Sequence, residues 1–473
     1  MDDEHDKRRI GCYGAQSAHT PHLDRLAHGG TRFTSAYTNS PICVPARACF
    51  ATGRHVHETG FWDNAIAYDG SVPSWGHALQ AAGVECVSIG KLHYVDDRAS
   101  TGFDRQILPM HIEEGVGDLF GLVRDPPPAR PQCRDLAERI GPGETSYIRY
   151  DRDITSQTCD WLRERGASRN AAPWVLFCSY ISPHSPLVAP PEDFALHPLS
   201  GIAPIKRRAA GFSHPWWDAF NDCYTFDRWF ADDHARFTAI ASAMGLGTFV
   251  DRNVGRVLAA LEAAGLADST RIAFVSDHGA NLGARGLWGK SNMYEESAGV
   301  PLILAGPEVP AGAVCKTPVS LIDFFPTILD GCGVSPGDGR AGESLWDIAR
   351  AADRGERTVL SEYHAAGGLS AVYMLRSGDF KYIHYTGFRP ELFNLVQDPQ
   401  ELNDLAQDAG HAPLLDQFES RLRAMLDPEA VDRQAKADQQ RLIDRHGGRA
   451  SILARGSTSY TPAPGEKAEL FKN

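Results

Sequence analysis

The stretch Arg271-Ile272-Ala273-Phe274-Val275-Ser276-Asp277-His278-Gly279 runs an apolar segment straight into an acid–imidazole pair. A short apolar run bounded in this way reads as a buried strand, and its polar tail falls where the strand ends. Val84-Glu85-Cys86-Val87-Ser88-Ile89 has the same form and ends in Gly90-Lys91. Trp174 to Ile181 is almost continuously apolar, as expected of a strand covered on both faces. Arg32 to Tyr37 and Val300 to Ala305 are two more candidate strands.

Helical segments separate them. Thr20-Pro21 opens a short helix through Leu23 and Leu26 that Gly29-Gly30 ends, and Trp75 to Ala82 is another. The longest runs from about 234 to 264, where Phe237, Ile240, Met244, Val250, Val254, Leu258 and Leu261 share a helical stripe before Gly265. Strands alternating with helices predict an α/β fold, a mostly parallel sheet with helices on both faces. In such folds ligands sit beyond the carboxyl ends of the strands, and Lys91 and Asp277 both lie there.

The texture changes after residue 355. Thr358 to Tyr363 reads as a strand, and Ser377-Gly378-Asp379 is a hairpin turn between Val372–Leu375 and Phe380–Ile383. Leu414 to Met425 follows as a helix. The expected organisation is a catalytic α/β domain over 1–355, a smaller antiparallel α+β subdomain over 356–430, and an extended polar arm over 431–473. By composition the arm is a candidate for oligomer contacts. Between 190 and 230, Trp216, Trp217, Phe220, Trp229 and Phe230 suggest either a lid over the site or an insertion with its own small core. No internal repeat occurs.

A chain of 473 residues has room for about three domains of ~150 residues, or for one larger enzyme unit. The net charge of −13 disfavours a nucleic-acid partner, though cations gathered in a pocket still admit a small anion. No apolar run is long enough for a membrane helix. The opening residues Met1 to Arg9 lack the apolar stretch of a signal peptide, so cytoplasmic residence is the expectation. None of the ten cysteines forms a Cys-x-x-Cys pair.

Cys43 stands apart. Cys43-Val44-Pro45-Ala46-Arg47, followed by Thr52-Gly53-Arg54, resembles the maturation signature of the type I sulfatases. Ser276-Asp277-His278-Gly279, Gly286 to Lys290 and Tyr294-Glu295 resemble that family's second signature. Glu391 to Leu395 and Asp398 to Leu405 look like its C-terminal block. The resemblance implies an alkaline-phosphatase-like fold, oxidation of Cys43 to formylglycine by a formylglycine-generating enzyme, and one divalent cation. Ca²⁺ is the leading candidate, with Mn²⁺ or Mg²⁺ as alternates, since oxygen ligands suit hard cations.

Matched position by position, the resemblance makes Asp3 (with Glu4 beside it), Cys43, Asp277 and His278 the metal ligands. Sulfatases place an apolar strand before this acidic pair, whereas only Met1-Asp2 precede Asp3 here. Gly90-Lys91-Leu92-His93 resembles the Gly-Lys-x-His in which lysine holds formylglycine and histidine is its base. His184 in Pro183-His184-Ser185-Pro186 and Lys290 match the donors to sulfate and the leaving oxygen. Arg47 is expected to pair with residue 43 and brace the turn. Asp63-Asn64 resembles a substrate-contacting pair in choline-sulfatase-like and phosphonate-hydrolase-like relatives, with Asn64 as the candidate.

The implied activity is hydrolysis of sulfate monoesters, aryl or small alkyl. A phosphonate monoester or phosphodiester hydrolase of the same superfamily is the first alternative; retention of Lys91 and His93 favours the sulfatase. A non-catalytic sulfatase-like scaffold is the second. Trp62, Tyr94, Trp216, Trp217 and Trp229 are candidates to face the alcohol side of the ester.

Overall fold

The structure is a computed structural model that describes residues 1–168, 172–208, 212–337 and 339–472. Its centre is a sheet in two parts. Glu85–Lys91 lies between Arg105–Met110 and Trp174–Ser179, all parallel. The other part orders Ala313–Cys315, Gly30–Phe33, Leu302–Ala305 and Ile272–Val275, and here Leu302–Ala305 runs against both neighbours. The expected parallel arrangement therefore describes the first part, and the second is mixed.

Alternation along the strands sorts side chains onto two cores. Cys86, Val275, Leu302 and Leu304 face one cluster with Phe50, Trp75, Phe324 and Phe325. Val87, Ile89, Phe274 and Ile303 face the other, against Ile154, Trp161, Val250 and Leu261 of the long helices. Those helices are Ser146–Ala167 and Asp233–Ala263, the latter close to the span predicted from its apolar stripe.

Met1 and Asp2 join the two parts. The Met1 ammonium donates to Cys178 O, and Tyr180 N donates to Met1 O. On the opposite side, Asp2 N donates to Val275 O and Asp277 N to Asp2 O. Behind this tie the strands diverge around a cavity of about 720 Å³ lined by Trp174–Cys178 and Ile272–Val275. That explains why Trp174–Ser179, predicted to be covered on both faces, is only half-buried along most of its length.

The C-terminal sheet is antiparallel, in the order Val359–Tyr363, Val372–Ser377, Phe380–Tyr385 and Glu391–Asn394. Gly378, at φ 58, takes the left-handed backbone of its two-residue hairpin. Phe418 and Leu422 of helix Ala412–Met425 pack on Leu375, Tyr382 and Leu392.

The arm expected to be extended from 431 is mostly helical. Pro428–Arg445 and Gly448–Arg455 are helices, and Asp427 caps the first by accepting from Ala430 N. Ala435, Gln439 and Ile443 recur every four residues, so a polar sequence still buries one face. Ile443 and Ile452 pack on Leu119, Phe120 and Leu122. Only from Ser457 is the chain extended: Ser457–Thr458 pairs with Leu470–Phe471, and Thr458 to Thr461 line the same cavity as Cys43.

Candidate active site

Cys43 opens the helix Cys43–Thr52 at the carboxyl edge of the sheet, and Gly53, at φ 64, closes that helix with its N–H on Cys49 O. Amide groups of the first helical turn lack intrahelical partners, and here Asn64 Oδ1 accepts from Val44 N at 3.1 Å. The thiol is buried. Sγ lies 3.2 Å from His278 Nε2 and 3.6 Å from Asp3 Oδ1. Burial and Asp3 push its pKa up, but Lys290, Lys91 and His278 together carry it well below the ordinary thiol value.

Asp3, Cys43, Asp277 and His278 offer ligand atoms within 4.8 Å of one another, all from buried side chains. His278 Nδ1 is 3.1 Å from Gly279 O, so in the neutral ring the proton belongs on Nδ1 and Nε2 offers its lone pair to the cluster. The Asp277 carboxyl is raised to about 7, by burial first and then by the charge of Asp3. Burial lowers His278, yet Asp277 and Cys43 outweigh it and raise the imidazole to about 9. A cluster that draws protons in this way is short of positive charge. A divalent cation among the four groups would supply it, and two carboxylates and an imidazole are donors that such an ion takes.

Arg47 lies one helical turn beyond Cys43. Its Nε donates to Asp277 Oδ2 at 2.8 Å, Nη2 to Asp3 Oδ2 at 2.9 Å, and Nη1 to Lys91 O and Ser179 Oγ. The expectation that it pairs with residue 43 is corrected here: the guanidinium grips the two carboxylates instead, because its fork matches their spacing. Lys91 ends its strand with Nζ 2.7 Å from Asp3 Oδ2. Asp3 is held well below the ordinary carboxylate value; burial opposes this, and Lys91 and Arg47 overcome it.

His93 reaches the site by a left-handed backbone, φ 57, rather than by strand alternation. Burial and then Lys91 depress it to about 3, so the ring is neutral. His184 and Lys290 stand on the open side, with His184 Nε2 3.3 Å and Lys290 Nζ 2.8 Å from Glu4 Oε2. Every predicted site residue thus falls at one end of the sheet.

Cys43, Asn64, His93, His184 and Lys290 line one cavity of about 130 Å³, whose outer wall the sequence did not reveal. That wall includes Arg130, Asp135, Tyr224, Phe226, Trp288, and Thr458 to Thr461. Thr461 Oγ1 is 2.9 Å from His93 Nε2, Tyr147 OH donates to Thr461 O, and the Tyr460 ring packs on Tyr147. A threonine in a polar tail carries no signal that distinguishes it, so only the folded chain identifies this contact.

Several expectations fail. Asp63 turns away, accepting from Gln439 Nε2 at 2.7 Å, and only Asn64 faces the cavity. Trp216 and Trp217 form no lid: they are buried beneath the C-terminal sheet, with Trp217 Nε1 donating to Tyr385 OH. Trp62 is tied to Asp438, Tyr94 packs on Tyr68, and Trp229 is exposed. Large aromatic area favours interior packing wherever an apolar neighbour exists.

Comparison with known proteins agrees with this geometry. The profile described as Sulfatase matches residues 1–334, and that described as N-sulphoglucosamine sulphohydrolase, C-terminal, matches 283–427. The chain is 32% identical over 463 residues to the choline-sulfatase of Rhizobium meliloti (strain 1021), covering 90% of this chain and 86% of that protein. It is 29% identical to arylsulfatase K of Danio rerio, covering 92% and 84%. Among solved structures, the phosphonate monoester hydrolase of Agrobacterium radiobacter superposes with a TM-score of 0.72 at 22% identity, covering 92% of this chain and 94% of that one. A structure described in complex with its substrate D-glucosamine-2-N,6-O-disulfate gives 0.71 at 22%, covering 93% and 97%.

Proposed function

The chain belongs to the sulfatase family of sulfuric ester hydrolases, and we propose that it cleaves sulfate monoesters at residue 43 after that cysteine matures to formylglycine. One observation carries the reading. Cys43 sits against Asp3 and His278 in a buried four-ligand group, with Lys290 and His184 facing it across the same cavity. Asp3, Asp277, His278 and residue 43 would hold the cation. The matured residue would supply a hydrated aldehyde as nucleophile, and the cation, when bound, would lower the pKa of its hydroxyl.

The chain's own groups do the rest. Lys91 and Arg47 keep Asp3 ionised as a ligand, and Arg47 also orients Asp277, whose proton the cation would displace. Lys290 and His184 bind the ester's oxygens and stabilise or protonate the leaving alkoxide. His93, neutral through burial, accepts the proton at residue 43 as sulfate departs. Asn64 fixes the start of the nucleophile's helix from the substrate side.

Phosphonate monoester hydrolysis is the second reading, favoured by the close superposition on such an enzyme. Retention of Lys91 and His93 orders the two. The test compares turnover of an aryl sulfate and an aryl phosphonate, alongside mass spectrometry of the peptide spanning Cys43 and a metal assay. Sulfate turnover, an aldehyde at residue 43 and one bound cation are expected. Phosphonate turnover far above sulfate overturns the order, and an unmodified thiol without metal, from a host that has the maturation enzyme, overturns the mechanism.

A further inference from the structure

Glu4 lies beside the ligand group, and its carboxylate is turned to the other side. The residue adopts φ 66, a left-handed backbone uncommon for glutamate, with its amide donating to Asp277 Oδ1. From there one oxygen, Oε2, meets both Lys290 Nζ at 2.8 Å and His184 Nε2 at 3.3 Å. Lys91 and Arg47 are already paired with Asp3 and Asp277. Among the described residues, Lys290 has Glu4 as its ion-pair partner.

We propose that Glu4 is a built-in anion that occupies the Lys290–His184 pair between turnovers and tunes the site to singly charged esters. The inference rests on the sulfatase reading, in which Lys290 and His184 receive the substrate's oxygens. An ester oxygen and the Glu4 carboxylate compete for the same two donors, so substrate enters by displacing Glu4 and product leaves as Glu4 returns. Displaced, the carboxylate remains a like charge close to the bound anion. It therefore opposes a doubly charged guest more than a singly charged one. A sulfate monoester carries one charge, whereas inorganic sulfate carries two, as phosphate monoesters largely do near neutral pH. The device thus speeds product release and disfavours phosphate monoesters. At an effective dielectric near 20, removing one such charge is worth about tenfold or more in affinity for a dianion.

Asp3, Glu4 and His184 also lie within 4.8 Å of one another, so Glu4 has a rival role as a metal ligand. Titration calorimetry of inorganic sulfate into the metal-loaded enzyme, with metal content measured on the same samples, separates the two. Glu4→Gln is expected to retain its cation and bind sulfate at least about tenfold more tightly than the native protein. Unchanged or weaker sulfate binding with metal retained overturns the proposal, and loss of the cation does so too. Lys290→Ala tests the underlying reading: native sulfate affinity in that variant overturns the anion pocket itself, while weakened binding leaves Glu4→Gln as the deciding measurement. Should Glu4→Gln fail to fold, Glu4→Asn tolerates the left-handed backbone, is too short to reach Lys290, and carries the same expectation.

Discussion

Thr461 Oγ1 lies 2.9 Å from His93 Nε2 across 368 residues of sequence. The contact occupies one imidazole nitrogen, and the other, Nδ1, is buried. A catalytic histidine gains by having its tautomer and ring angle fixed through the nitrogen it does not use. The polar tail thereby takes part in the site.

Thr461→Val is expected to lower kcat on an aryl sulfate by about tenfold, the value of one net hydrogen bond, with little change in KM. Thr461→Ser should restore most of it. Equal loss in both variants would mean that the tail acts only by covering the pocket.

Arg47→Met removes the cation shared by Asp3 and Asp277 and leaves two buried carboxylates facing each other. Breaking a buried pair from one side costs about 3–5 kcal/mol. Thermal unfolding of the metal-free variant should record that loss, and saturating Ca²⁺ should recover part of it by supplying positive charge to the same two carboxylates. A variant as stable as the native protein without metal would contradict the electrostatic account.

Chelation should lower the melting temperature as well as abolish turnover, because an ion that binds only the folded chain stabilises it by mass action. At a free concentration one hundred times Kd the gain is about 2.7 kcal/mol. Readdition of Ca²⁺, Mn²⁺ and Mg²⁺ in turn, followed by calorimetric unfolding, ranks the ions. His278→Ala should flatten all three responses.

A separate, half-buried pair gives a pH signature. His57 Nδ1 is 2.8 Å from Glu362 Oε1, and Glu362 also meets His364. Burial opposes ionisation of both partners, but their mutual charge raises His57 and drives Glu362 far down. The His57 contribution is full below its unfolded value near 6.5 and is lost as pH rises through the raised folded value. The Glu362 contribution is present above about 4.3 and is lost only in strong acid. His57→Gln should therefore cost most between about pH 5 and 6.5, roughly 1.5–3 kcal/mol, and markedly less at pH 9. A pH-independent cost, measured by denaturant unfolding, would count against the ion pair.

The strands are legible in the sequence because each is a short apolar run that stops at a polar residue. That pattern alone puts Lys91 and Asp277 at strand ends. The helix Asp233–Ala263 is legible from its stripe. The helix Pro428–Arg445 is not, since its buried face is built from Ala435, Gln439 and Ile443. Two of these three carry little or no hydrophobic signal. The tryptophans mislead for the converse reason: an aromatic cluster signals burial equally well in a lid or in a core.

The sequence by itself determined the chemistry available: a cysteine in a motif that resembles the sulfatase signature, acids and an imidazole at the ends of strands, and lysines in matching positions. These are local patterns, and each needs only a few adjacent residues to be read. The tertiary structure decided the pairings. Arg47 grips Asp3 and Asp277 rather than residue 43, Glu4 faces Lys290 and His184, and Thr461 holds His93. Such contacts join segments hundreds of residues apart. Their partners are fixed by where buried charge finds its counter-charge once the sheet has closed, and no local spacing encodes that choice.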